Sequence, residues 1–151
     1  MADELLSIGI DIGTSTTQVI FSRLSIENTS GYFSVPQIRI VDKQVIYKGE
    51  VHSTSLKTRT MIDADAVALL VEGEFKRAGF TPRDTRTGAV IITGETARKD
   101  NAALVLERLS GFAGDFVVST AGPDLESIIA GKGSGARQYS EDHSCVAANI
   151  D

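Results

Sequence analysis

The sequence predicts an α/β domain. Antiparallel strands come first and βαβα units follow, in one mixed sheet with flanking helices. Three observations predict it. Short, β-branched apolar runs open the chain and are joined by turn residues. After residue 60, apolar residues at helical spacing alternate with further strand-like runs. Each helical stretch is long enough for a crossover, and crossovers join parallel strands.

The elements follow in order. Residues 5–12 are short, apolar and mostly branched, and read as a strand buried on both faces. Gly13-Thr14-Ser15-Thr16 is a turn, and residues 17–24 form a second strand rich in β-formers. So short a turn predicts an antiparallel hairpin. Residues 28–31 carry loop chemistry. Residues 37–41 and 44–48 read as two strands flanking Asp42-Lys43, and residues 52–60 as a long polar stretch. Asp63 can cap a helix carrying Val67, Leu70, Val71, Phe75 and Ala78 on one side, with Gly79 as its stop. Residues 88–93 form a buried strand, and residues 95–109 repeat apolar residues at helical spacing. Residues 115–119 are the next strand. Pro123 opens a short helix that Gly131 ends. A Gly/Ser-rich loop to about residue 142 precedes a last strand that starts near residue 146.

Composition bounds the function. The chain has 151 residues, 42 % hydrophobic and 23 % charged, which is a globular composition. A chain of this length can bury about 70 % of its unfolded surface. Net charge is −5, without a Lys or Arg run, so nucleic acid and anionic membrane surfaces are not expected as partners. The single Cys145 cannot form an internal disulfide or by itself hold a zinc or iron–sulfur site. Asp3 and Glu4 stand where a secretory leader carries basic residues. A reducing cytoplasm is the expected setting.

The strongest chemical signal is Ile10-Asp11-Ile12-Gly13-Thr14-Ser15-Thr16-Thr17. A buried strand runs into a tight turn of Gly and small hydroxyl residues. Gly13 admits close approach of an anion, and successive amides at Thr14, Ser15 and Thr16 can point into one concavity. That makes a phosphate cradle. Asp11 at its mouth would repel phosphates unless a cation such as Mg²⁺ lay between them. The plainer alternative is a Thr-rich hairpin turn whose Asp satisfies backbone amides. Thr93-Gly94-Glu95 follows a strand and opens a helix, a common ligand position. Glu95 could bind a cation, act as a base, or simply offset the helix dipole. Gly131-Lys132-Gly133-Ser134-Gly135 lacks the spacing and the strand-to-helix context of a Walker A loop, and reads as a flexible connector. His52 and His143 have no partners at metal-ligand spacing. Finally, Asn149-Ile150-Asp151 echoes Gly9-Ile10-Asp11.

Ile8-Gly9-Ile10-Asp11-Ile12-Gly13-Thr14 resembles the first phosphate motif of the actin, sugar-kinase and heat-shock-chaperone ATPase superfamily. The resemblance implies two ribonuclease-H-like halves with ATP and Mg²⁺ between them. Residues 1–143 would be the first lobe of an actin-like ATPase. Residues 144–151 would start the first strand of the second, cut short. Residues 121–131 would take the place of the connecting helix. More narrowly, residues 6–14, 16–24, 91–95, 114–118 and 121–135 are similar to the ethanolamine ammonia-lyase reactivating proteins. Residues 25–87 match weakly. The family resemblance implies a chaperone that uses ATP and Mg²⁺ to release damaged cobalamin from the lyase, so that adenosylcobalamin can rebind. It implies that the backbone of Gly13, Thr14, Ser15 and Thr16 holds phosphates and that Asp11 and Asp151 place Mg²⁺. Glu95 is the weaker candidate for orienting water. ATPase activity is expected of a full-length protein and not of this segment alone. A cytoplasmic location follows, with association with a bacterial microcompartment as a further expectation. A small-molecule kinase or a filament-forming scaffold of the same superfamily is the alternative. An activator of radical dehydratases would need more cysteines than Cys145.

Overall fold

The computed structural model describes residues 3–28, 37–98, 100–112 and 115–150. Strands β1 (Asp3–Ile12) and β2 (Thr16–Asn28) form the expected hairpin, with Ile12 opposite Thr17. Strand β3 (Ile38–Lys48) pairs antiparallel with β2. The two strands expected around Asp42-Lys43 are therefore one. Asp42 and Lys43 lie opposite Ser25 and Leu24 inside the ladder, and a register shift beside Ser25 absorbs the irregularity. Asp-Lys lacks the positive-φ preference of a two-residue hairpin turn, so nothing local opposes continuation. The loop chemistry of residues 29–31 lies outside the described residues.

The polar stretch from residue 52 is structured in short pieces. Strand β4 (His52–Ser53) pairs with Thr16 and Thr17 of β2, while β5 (Leu56–Thr58) and β6 (Met61–Ile62) pair with each other. Helix α1 (Ala64–Ala78) starts where expected. The Asp63 carboxylate accepts from the Ala66 amide, and Gly79 ends the helix at φ 76°. Strand β7 (Thr87–Thr93) runs parallel to β1, and β8 (Asp115–Ala121) runs parallel to β7. The sheet order is β3-β2-β1-β7-β8, three antiparallel strands followed by parallel ones. The ribonuclease-H-like mixed sheet is borne out.

The helix expected over 95–109 is interrupted. A 3₁₀ turn covers Gly94–Arg98, and α2 covers Ala102–Leu109. The Asn101 side chain explains part of the break: it accepts from the Ile62 amide and donates to the Ile62 carbonyl, tying the helix start to β6. Helix α3 (Pro123–Gly133) begins with Pro in its first turn and runs through Gly131. Helix α4 (Ala136–His143) replaces the expected loop, with Gly135 between them at φ 78°. The i,i+4 pairs Arg137–Glu141 and Gln138–Asp142 support it without an apolar face. Residues 146–150 carry no ladder pairing among the described residues.

Alternation along the strands sends one set of side chains into the core. Ile8, Ile10 and Ile12 of β1, Val19 and Phe21 of β2, and Val90 and Ile92 of β7 are buried. They meet Val67, Val71 and Phe75 of α1 and Val105, Leu106 and Leu109 of α2 in one cluster. Phe21 is its aromatic hub, 4.9 Å from Phe75, 5.3 Å from Phe80 and 6.0 Å from Tyr47 between ring centroids. Each such side chain contributes about 1.5–3 kcal/mol on burial. Gly9 and Asp11, at the alternate positions of β1, are left outside this core.

Candidate functional site

Because β1, β7 and β8 are parallel, their carboxyl ends meet at one end of the sheet. Ile12 lies beside Ile92, and Thr93 beside Ala121. Ligands bind at this end of α/β sheets because loops and helix starts converge there. The β1–β2 turn, Asp11, and Thr93-Gly94-Glu95 all lie at it.

The turn is closed by the Gly13 amide, which donates to the Thr16 carbonyl at 2.8 Å. Gly13 thus spends its own N–H on the hairpin and contributes room. A Cβ there would stand 3.2 Å from the Thr16 carbonyl oxygen and 3.6 Å from Thr93 Oγ1. Two of the turn's carbonyls, those of Gly13 and Ser15, are engaged by the protein behind it. The Gly13 carbonyl accepts from the Thr54 hydroxyl at 2.8 Å and from the Thr96 hydroxyl at 3.1 Å. The Ser15 carbonyl accepts from the Thr54 amide at 2.9 Å. Among the described residues, the Thr14 and Ser15 amides donate to no protein acceptor. Carbonyls engaged by the protein and successive amides left unspent are what an anion nest requires.

The β7 end is fastened to the same turn. The Glu95 amide donates to Thr14 Oγ1 at 3.0 Å. Gly94, at φ 60°, brings its backbone against that hydroxyl. Asp11 is exposed at the end of β1, and Thr93 Oγ1 approaches its carboxylate at 3.5 Å. Glu95 is exposed in the first turn of the 3₁₀ segment. Asp11, the Gly13–Thr16 turn and the Glu95 backbone are therefore neighbours. Asp151 lies outside the described residues.

Sequence reasoning missed three contributors. Thr54 sits in residues 52–60, read as a long polar stretch, and Thr96 in residues 95–109, expected to be helical. Glu126, in the first turn of α3, has an oxygen 3.6 Å from where a Cβ on Gly94 would lie. The local signal for the threonines was their abundance near the turn, which does not say which ones reach it.

Among the described side chains, the carboxylates of Asp11, Glu95 and Glu126 belong to this end. Among the described residues, no three His, Cys, Asp or Glu side chains converge to hold a metal ion. A cation here would take protein oxygen from one or two carboxylates, with water and a phosphate completing its shell, the usual pattern for Mg²⁺. An open hollow of about 950 Å³ between α3, α4 and residues 147–150 touches this region only through Glu126. Among the described residues, no helix is long and apolar enough to cross a membrane.

Comparison with known proteins gives the site a context. Residues 3–151 match the family model described as ethanolamine utilisation protein EutA. The chain is 42 % identical over 148 residues to the ethanolamine ammonia-lyase reactivase EutA of Salmonella typhimurium, covering 98 % of this chain and 32 % of that protein. It is 44 % identical over 149 residues to the protein of the same name from Escherichia coli, with the same coverage. The chain thus spans about a third of the length of the curated relatives it matches. Among solved structures, a Ppx/GppA family member from Aquifex aeolicus superposes with a TM-score of 0.52 at 18 % identity, over 85 % of this chain and 38 % of that one. An exopolyphosphatase from Cytophaga hutchinsonii gives 0.51 at 12 % identity, over 87 % and 38 %. At that identity the two structures speak to the fold alone.

Proposed function

The chain belongs to the ethanolamine utilisation protein EutA family, and on that premise we propose that it is the first ATPase lobe of a reactivating factor for ethanolamine ammonia-lyase. The observation that carries the nucleotide part is the Gly13–Thr16 turn, with its Gly13 and Ser15 carbonyls engaged from behind by Thr54 and Thr96. The name shared by the two curated relatives supports the lyase as the target.

In this reading the Thr14 and Ser15 amides and the neighbouring hydroxyls bind the phosphates of ATP. Asp11 holds Mg²⁺, largely through water. Bound there, Mg·ATP would supply the phosphoanhydride whose cleavage changes the protein's state. The chain's own contribution is positional and electrostatic, as in phosphoryl transfer generally. Gly94 and Thr14 lock the β7 end to the turn, so that Glu95 stays beside it and can orient water. Asp151 would place the metal from the opposite lobe, within a duplicate of the first motif. Residues 1–143 form the first lobe in this reading, and residues 144–151 begin the second.

The state of the nucleotide would drive a movement between lobes that favours release of damaged cobalamin from the lyase, so that adenosylcobalamin rebinds. The setting proposed for this role is the cytoplasm, in association with a bacterial microcompartment. The test is calorimetric titration of Mg·ATP into a chain of the relatives' full length. Saturable binding that requires Mg²⁺ is expected, and its absence would sink the nucleotide reading.

A further inference from the structure

The segment between β3 and β5 shows a pattern that the proposed function does not use. Glu74, on α1, is fully buried. Its Oε1 accepts from His52 Nε2 and from Arg77 Nη2, each at 3.0 Å, and its Oε2 accepts from the Tyr47 hydroxyl at 2.8 Å. A buried carboxylate is costly unless it is paired in this way. Three of its surroundings belong to one stretch of chain: Tyr47, His52, and the backbone of Gly49. A Cβ on Gly49 would collide with the Glu74 carboxylate and stand 2.9 Å from the Val19 carbonyl oxygen, so the strand turns off directly against the carboxylate. Gly49 is held from both sides. Its amide donates to the Val19 carbonyl at 2.9 Å, and its carbonyl accepts from Gln18 Nε2 at 2.9 Å.

From that anchor the chain runs a short way to the turn. His52 and Ser53 pair with Thr17 and Thr16. The next residue, Thr54, gives its amide to Ser15 and its hydroxyl to Gly13, and its Oγ1 lies 3.1 Å from that of the fully buried Thr17. Since the Thr54 hydroxyl donates to Gly13, Thr17 is the donor between the two. One end of the segment is therefore fixed on Glu74 and the other on the two carbonyls of the turn.

We infer that residues 49–54 are a splint for the Gly13–Thr16 turn, with Glu74 as its anchor and Thr54 as the positioning residue that holds the turn's carbonyls back. The inference rests on the phosphate-binding reading of that turn and extends it to residues that touch no ligand. Without the Thr54 hydroxyl the Gly13 carbonyl keeps only Thr96. Held by one bond instead of two, the peptide rotates more readily and turns its oxygen toward the site, where it would repel an anion.

The test is amide hydrogen exchange and Mg·ATP binding in a chain of the relatives' full length, for the wild type, Thr54→Val, Thr54→Ser and Glu74→Gln. Thr54→Val keeps the shape and the amide but loses the hydroxyl. Exchange across residues 12–17 should quicken and Mg·ATP binding weaken, each by about tenfold, the scale of one lost hydrogen bond at a partly buried site. Exchange in residues 64–78 should be unchanged, and Thr54→Ser should restore both values. Glu74→Gln should loosen the same turn from a distance. If that variant does not fold, Tyr47→Phe removes one of its bonds and should give a smaller change in the same direction. Unchanged exchange at the turn in Thr54→Val overturns the inference. Thr54-dependent exchange in a protein that binds no Mg·ATP supports the splint and overturns the phosphate reading.

Discussion

Gly94 and Thr14 meet so closely that a Cβ on Gly94 would stand 2.6 Å from the Thr14 hydroxyl oxygen. This contact joins the end of β7 to the turn after β1, which are 80 positions apart in sequence. Gly94 also has φ 60°, which L side chains adopt at a cost of about 1–2 kcal/mol. Gly94→Ala therefore combines strain with displacement of Thr14. The expected loss is about 2–3 kcal/mol of stability, with a further weakening of Mg·ATP binding in the full-length chain. Urea denaturation and calorimetry read the two effects. A variant with wild-type stability would show that the contact relaxes freely.

Asp11 separates binding from folding. It is exposed at the strand end and contributes nothing to the apolar core. Asp11→Asn should change stability by no more than about 0.5 kcal/mol. In the full-length chain it should lower ATP hydrolysis by tenfold or more, on the order of the loss from weakening one metal ligand. Equal hydrolysis rates for variant and wild type would remove Asp11 from the mechanism.

Phe21 provides the opposite control. It is fully buried among Phe75, Phe80 and Tyr47 and lies away from the turn. Phe21→Ala should cost about 3–5 kcal/mol. Any loss of nucleotide binding should track the unfolded fraction and no more. Binding lost in the folded fraction would mean that the core and the site are coupled.

Tyr47 gives a pH signature. Its hydroxyl donates to the buried Glu74 carboxylate, and this bond, with burial and the negative charge of Glu74, holds the phenol above its ordinary value of 10.0. The folded state then keeps this proton more tightly than the unfolded chain does. The stabilising contribution is complete below the ordinary value and fades as pH rises through the folded one. Tyr47→Phe should remove that alkaline component. Denaturant midpoints of wild type and variant, compared from pH 8 to above 10.0, should converge as pH rises. A constant gap across the range would contradict this.

Much of the fold was legible because its signals are local. Asp63 and Gly79 bracket α1 by capping chemistry, Pro123 opens α3, and a four-residue turn makes β1 and β2 a hairpin. What escaped was decided at a distance. The continuity of β3 through Asp42-Lys43 comes from its pairing with β2, which no local pattern encodes. The break between the 3₁₀ segment and α2 follows from bonds to Gly13, Thr14 and Ile62. Helix α4 has no apolar stripe to reveal it, although its i,i+4 pairs were present in the sequence. The site divides in the same way. Asp11, Gly13 and Glu95 stood out by residue type beside a strand end. Thr54, Thr96 and Glu74 act through contacts with partners 22 to 83 positions away.

The half-site proposal makes its own prediction for the 151-residue segment. In the two-lobe reading the segment carries one of two phosphate motifs, so it should bind Mg·ATP far more weakly than a chain of the relatives' full length. Calorimetry on the two chains side by side checks this. Micromolar binding by the segment alone would contradict it.

Recovery of a blocked lyase tests the central claim most directly. Ethanolamine ammonia-lyase inactivated with cyanocobalamin is incubated with the full-length chain, adenosylcobalamin and Mg²⁺, with and without ATP. The proposed function predicts that activity returns only when ATP is present and that Asp11→Asn abolishes the return. Activity that stays lost with ATP, or that returns equally without it, would contradict an ATP-driven reactivase.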